Sequence, residues 1–226
     1  MVPGAIVWRS VSDGTPTRVL PDGCMDLLWD GERVTVAGPD TVAELHASRA
    51  GARMTGLRFA PGYAPLLLGA PAAAFTDDDA PLDALWSPTL VRSLGDQLLA
   101  TDDAGAVLER VALQRSRAVG AERDHGLSAD VARRLREGEA VGAVAEAVGL
   151  SARQLQRRSL DAFGYGPKLL ARILRMNDAL ALARDGVPFA AVAATAGYAD
   201  QAHLARTVRA LAGVPLGELV GQPAAS

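Results

Sequence analysis

Gly149-Leu150-Ser151-Ala152-Arg153-Gln154-Leu155-Gln156-Arg157-Arg158 is the stretch on which the reading of this chain turns. Ahead of it, Val141, Val144, Ala145 and Val148 recur at the i, i+3, i+4, i+7 spacing of a short amphipathic helix, which Gly149 ends. Ser151 is a suitable N-cap for a second helix. That helix, Ala152 to about Phe163, turns Leu155 inward and presents Arg153, Gln154, Gln156, Arg157 and Arg158 outward. A short helix, a turn containing Gly and a second, polar helix form a helix-turn-helix pattern. In the major groove Arg pairs bidentately with guanine and Gln with adenine, so the polar helix has the side chains to read base edges.

The pattern occurs twice. Val144-Ala145 and Gly149 recur 48 positions on as Val192-Ala193 and Gly197. Beyond the turn the displacement is 49, carrying Leu155 to Leu204, Arg157 to Arg206 and Gly164 to Gly213, so the second copy has one extra residue in its turn. Between the copies, Gly164-Tyr165-Gly166-Pro167 punctuates the chain. Pro167 then opens a long helix to Arg184, with Leu169, Leu170, Ile173, Leu174, Leu180 and Leu182 as its apolar stripe. A single motif of this kind is common; a duplicate at this spacing is specific.

Charge agrees with a polyanionic partner for one half only. The 226-residue chain has a formal net charge of -3. Residues 1–125 hold 11 Arg against 17 Asp or Glu, while residues 126–226 hold 12 Arg or Lys against 9 acids. A domain boundary is expected in the polar stretch Arg115 to His125, giving domains at 1–124 and 125–226, with Ser128 as the N-cap of the first helix of the second domain.

The first half reads as β-rich. Short runs at Ala5 to Val11, Arg18 to Leu20, Cys24 to Trp29, Arg33 to Ala37, Val42 to His46 and Arg53 to Phe59 are separated by turn residues such as Asp30-Gly31. They suggest a small barrel or sandwich. The acidic run Asp77-Asp78-Asp79 reads as a solvated loop. Ser87-Pro88 and Asp102-Asp103 are good starts for helices to about Leu99 and Arg117. The fold class is therefore α+β, a small β-rich N-terminal domain followed by an all-α domain.

Catalytic chemistry is poorly supplied. No His pair has metal-ligand spacing, and no glycine-rich loop matches the phosphate- or dinucleotide-binding patterns. Neither a metal nor a cofactor is expected, and the chain is not read as an enzyme. Cys24, the only cysteine, excludes an internal disulfide and is either a small buried hydrophobe or a candidate sensor, which would need a lowered pKa. No apolar run reaches a membrane span and no signal peptide is visible, so the expected location is the cytoplasm.

Taken with both copies of the motif, residues 128–221 resemble the AraC/XylS family of bacterial transcription regulators. Gly149, Leu155, Gly164, Pro167, Gly197-Tyr198, Leu204 and Gly213-Val214-Pro215 carry the resemblance. It implies a seven-helix domain whose two recognition helices enter successive major-groove segments of double-stranded DNA. Carried over by position, the first reader uses Arg153, Gln156 and Arg157, and the second uses Gln201, Ala202, His203 and Arg206; Ser151, Gln154, Arg158 and Arg209 beside them complete the expected DNA-binding set. Arg172 and Arg175 on the bridging helix become candidates for phosphate contact or for helix-surface solubility. Two departures stand out: Ser159 replaces the family's large apolar residue behind the first reader, where the second copy has Val208, and Asp200 begins the second reader. Only Ala202 and Ala205 flank His203, so the first motif is expected to carry more of the specificity.

The first half is similar to the N-terminal domain of some actinobacterial-type members, through Leu20-Pro21-Asp22-Gly23-Cys24-Met25-Asp26-Leu27, Gly38-Pro39 and Gly56 to Gly62. That resemblance implies binding of a small-molecule effector, dimerisation, or both. RNA polymerase is a further candidate partner, and a monomer or a homodimer is expected. A helix pair that binds protein, or an N-terminal catalytic domain, are the alternatives.

Overall fold

The computed structural model describes residue 2 and residues 4–221. Alternating short runs form β1 (Ile6–Val11), β2 (Thr17–Val19), β3 (Met25–Trp29), β4 (Val34–Ala37), β5 (Glu44–His46) and β6 (Arg53–Phe59). A seventh strand, β7 (Asp79–Pro81), starts at the last residue of the acidic run, whose Asp77 and Asp78 stay exposed outside any strand; its backbone pairs with β4 from Ala37↔Asp79 to Thr35↔Pro81. Five strands make one antiparallel sheet in the order β1-β6-β3-β4-β7, and β2 and β5 pair separately as a ribbon. This corrects the expected barrel or sandwich. The sheet stays open, with β1 and β7 as edges, and helices cover one face of it in place of a second sheet.

That covered face is apolar. Leu57, Leu27 and Val36 sit side by side in register and are buried. They share a core with residues of α1 (Ala64–Leu68), α2 (Pro88–Leu99) and α3 (Ala104–Val119), including Leu67, Leu94 and Leu108. Ser87 caps α2 and Asp103 caps α3, each accepting the N3 backbone N–H as their positions suggested.

The stretch Arg115 to His125 is not a linker. α3 continues to Val119, Gly120 turns the chain at φ 70°, and α4 (Ala121–Arg136) starts at once, so Ser128 lies inside a helix instead of capping one. Polar groups that suggested solvent grip the N-terminal core. Arg115 Nε donates to the Leu67 carbonyl at 3.0 Å and its guanidinium lies over Trp86. The Ser116 and Tyr63 hydroxyls are 2.7 Å apart, and the His125 ring meets Tyr63 edge-on.

Six further helices follow: α5 (Val141–Ala147), α6 (Ala152–Phe163), α7 (Pro167–Arg184), α8 (Phe189–Thr195), α9 (Gln201–Ala212) and α10 (Leu216–Val220). With α4 they make the seven that the resemblance implied. A second core runs through them, built on Leu135, Val144, Leu155, Leu170, Ile173, Leu174, Val192 and Leu204. The α7 stripe is central to it, with Leu170, Ile173 and Leu180 fully buried.

The two cores abut along a polar seam. Asn177 of α7 donates to the Pro21 carbonyl at 2.8 Å, and Leu20 packs against the second core. Thr76 donates to the Gly164 carbonyl, and Arg18 to the Ala212 carbonyl, both at 3.0 Å. An open-sided hollow of about 240 Å³ is lined by Pro61, His125, Ala129, Arg133, Arg136 and Leu174 among others.

Candidate nucleic-acid interface

The duplication read from the sequence is a duplication of structure. α5 and α8 begin 48 residues apart and α6 and α9 begin 49 apart, so the extra residue falls in the turn. Each first helix ends at a glycine with positive φ, Gly149 at 67° and Gly197 at 72°, a conformation that costs a side chain but not glycine. Each second helix also ends on such a glycine, Gly164 or Gly213.

α6 separates its faces cleanly. Leu155, Ser159 and Phe163 are buried, while Arg153, Gln154, Gln156, Arg157 and Arg158 are exposed. Not all of those exposed groups are free to read bases. Ser151 and Gln154 form a reciprocal capping box: the Ser151 hydroxyl accepts the Gln154 N–H, and Gln154 Oε1 accepts the Ser151 N–H at 2.8 Å. Both help start the helix, while the Ser151 O–H and the Gln154 Nε2 donate to nothing among the described residues. The Gln156 amide lies against Gly166, where an added Cβ would come within 2.5 Å of it. Arg153, Arg157 and Arg158 have no ion pair among the described residues, so their guanidinium groups face outward uncommitted.

α9 is poorer. Gln201, Ala202, Ala205, Arg206 and Arg209 are exposed, and Leu204, Thr207 and Val208 are buried. His203 is half-buried and turned back: its ring stands edge-on to Tyr198 with centroids 5.2 Å apart, and its Nδ1 faces the Ala199 N–H. Asp200 caps the helix by accepting the His203 N–H at 2.6 Å. The acid that would repel phosphate is thus occupied at the helix start.

The two bridging-helix arginines part company. Arg172 is exposed with no partner among the described residues. Arg175 lies over the Tyr198 ring, 4.6 Å from its centroid, and its Nη1 reaches the Gly197 carbonyl. It braces the turn of the second copy against α7. Behind α6, Ser159 is buried with no partner for its hydroxyl, whereas Val208 fills the equivalent place behind α9. The first reader therefore rests on a polar atom left unsatisfied, which costs stability there.

Cys24 sits at the seam, and burial, with Asp22 next, pushes its thiol up well above the usual range. That is the reverse of what a reactive sensor thiol needs. No group of His, Cys, Asp and Glu able to hold a metal occurs among the described residues.

Residues 144–222 match the family described as "Helix-turn-helix domain", and residues 5–81 match one described as "Domain of unknown function (DUF6597)". The C-terminal half is an AraC-type helix-turn-helix domain. The chain is accordingly a DNA-binding transcription regulator. No curated protein matches it. Among solved structures it is similar to apo ToxT K231A from Vibrio cholerae strain SCE256, at 10% identity and a TM-score of 0.47, over 96% of this chain and 97% of that one. It is also similar to unsaturated fatty acid bound wild-type ToxT from the same strain, at 11% identity and 0.47, over 96% and 94%. No helix among the described residues is long and apolar enough to cross a membrane.

Proposed function

We propose that the chain reads double-stranded DNA sequence-specifically, with α6 and α9 in successive major-groove segments. Arg153, Arg157 and Arg158 on α6 make the base and adjoining phosphate contacts of the first segment; Gln201, Arg206 and Arg209 on α9 make those of the second. Arg172 on α7 takes phosphate. The observation that carries this reading is that each copy of one structural unit turns exposed arginines outward, with Arg157 and Arg206 at equivalent positions, and that none of them has an ion pair among the described residues. Ser151, Gln154, His203 and Arg175 serve as supports for the readers, and Ala202 adds only an apolar surface. The first segment carries most of the sequence preference, because α9 offers alanines where α6 offers polar groups.

The division of labour is between 1–124, which receives a signal, and 125–226, which reads DNA from the cytoplasm. The signal is a small molecule; the half-open hollow lined by Pro61, His125 and Leu174 joins the residues just after β6 to α4 and α7. One chain carries both readers, so a monomer suffices for binding; a homodimer and a contact with RNA polymerase are compatible additions. Nothing in this reading requires a catalytic step.

The test is Arg157→Ala against duplexes selected from a random pool. Affinity for the selected duplex should fall by roughly 1–3 kcal/mol with preference relaxed at one base position. An equal loss on selected and random duplexes would reduce Arg157 to a phosphate contact.

A further inference from the structure

The C-terminal ends of the two recognition helices are tied to neighbouring, not identical, residues of the N-terminal half. At the end of α6, Thr76 Oγ1 donates to the Gly164 carbonyl, and the Pro39 ring approaches so closely that a Cβ on Gly164 would lie 2.5 Å from Pro39 Cγ. At the end of α9, the Ala43 N–H donates to the Leu211 carbonyl at 2.7 Å and Arg18 Nη1 donates to the Ala212 carbonyl at 3.0 Å. These are matching places in the duplicated unit, the last turn and its capping glycine. The carbonyls involved belong to the group that a helix end leaves without partners, and a cation suits that end of the helix dipole.

Pro39 and Ala43 lie in one five-residue segment, Pro39-Asp40-Thr41-Val42-Ala43, which spans at most about 14 Å when extended. The segment is itself braced. Thr41 donates both its N–H and its hydroxyl to the Asp77 carboxylate, at 2.6 and 2.9 Å, and Asp77 is held at φ 56°, the one non-glycine residue with positive φ among the described residues. Thr76 is its neighbour in sequence, so the contact with α6 and the brace on the segment are one unit. Beyond Ala43 the chain enters β5, which pairs with β2 through Leu45↔Arg18 and so carries the other donor to α9.

We propose that residues 39–43, with Thr76 and Arg18, are a strap that fixes the separation and rotation of the two readers, so that N-terminal residues set which spacing of base segments the chain accepts. The proposal rests on the DNA reading above. Its physical basis is closure. The readers already share one core through α7, and the strap adds a second tie at the same end of both helices. One added base pair moves the second segment by about 3.4 Å and about a tenth of a turn, a shift that a doubly tied pair cannot follow.

The test uses the full chain and the tightest duplex it recovers from a random pool, with two derivatives: one base pair inserted between the protected segments, and a duplex keeping the first segment only. The intact chain should lose about tenfold or more in affinity on insertion. Arg18→Ala/Thr76→Val should bring that ratio to within about threefold while leaving affinity for the single segment unchanged, and Arg18→Lys, which keeps a donor, should retain the original ratio. If the double variant does not fold, Thr76→Val alone, which removes only the hydroxyl, should lower the ratio measurably. A variant ratio equal to that of the intact chain, or a parallel fall on the single segment, overturns the strap. Failure of the intact chain to bind any duplex overturns the DNA reading instead.

Discussion

Gly164→Ala probes the junction on which the strap depends. Gly164 has φ +80°, so any side chain there costs about 1 kcal/mol in backbone strain alone. The added Cβ would also lie 2.5 Å from Pro39 Cγ and 2.7 Å from Thr76 Oγ1, distances that require the N-terminal half to move. Overpacking of this kind costs about 1–3 kcal/mol, for a total of about 2–4 kcal/mol. Gly149 is the control: φ is +67° and a Cβ there would meet nothing within 4 Å, so Gly149→Ala should cost only the strain, about 1 kcal/mol. Urea unfolding of the full chain gives both numbers from the midpoint shift at constant slope. Thermal unfolding should show the difference again, at about 2–4 °C per kcal/mol for a chain of this length. Equal losses for the two variants would mean that the N-terminal half does not press on the first reader in solution, and the seam described above would be wrong.

Other expectations follow from the same geometry. Arg175→Ala removes the cation over Tyr198 and should cost about 1 kcal/mol in stability; in a footprint it should weaken protection of the second DNA segment and spare the first. Asp40 lies in the strap, where burial, then Glu44, Asp77, Asp22 and Asp79, raise its carboxyl to about 7. A raised carboxyl favours the folded state while protonated, so its contribution is fully present below the unfolded value of 3.8 and is lost as pH rises through about 7. The melting temperature of the intact chain should therefore fall between about pH 4 and about pH 7. Asp40→Asn should flatten that fall; an identical slope in the variant would remove Asp40 from the account. Cys24 should resist thiol reagents in the native chain and react once unfolded, and rapid native labelling would contradict its raised pKa.

The reading half was legible because its signals are local and repeated. Periodicity placed α5 and α8, Ser87 and Ser151 announced their caps, and the one-residue change of offset located the insertion in the turn. The capping box is also legible as Ser151 followed three residues later by Gln154. What escaped was set by distance in sequence. Arg175 looks like a surface arginine until the fold places Tyr198 beneath it. β7 is too short and acidic to read as a strand, and exists because β4 offers it a paired edge. Arg115 to His125 is polar like a linker, yet its polar groups meet Leu67, Trp86 and Tyr63, partners between 29 and 62 residues away in sequence. The strap is the extreme case. Nothing within Pro39 to Ala43 announces a contact with residues near 164 and 211, because hydrogen bonds from a loop to a helix end leave no periodic trace.

The central claim is that arginines on a duplicated helical unit engage duplex DNA. Its most direct measurement is the salt dependence of binding to the selected duplex, because each neutralised phosphate releases counterions and adds about -0.9 to the slope of log affinity against log salt. Six exposed arginines (Arg153, Arg157, Arg158, Arg172, Arg206 and Arg209) are available, so the slope should lie at roughly -3 to -6, and Arg172→Ala should make it shallower by about 1 without changing base preference. A slope near zero, or no binding to any duplex at low salt, would contradict the account.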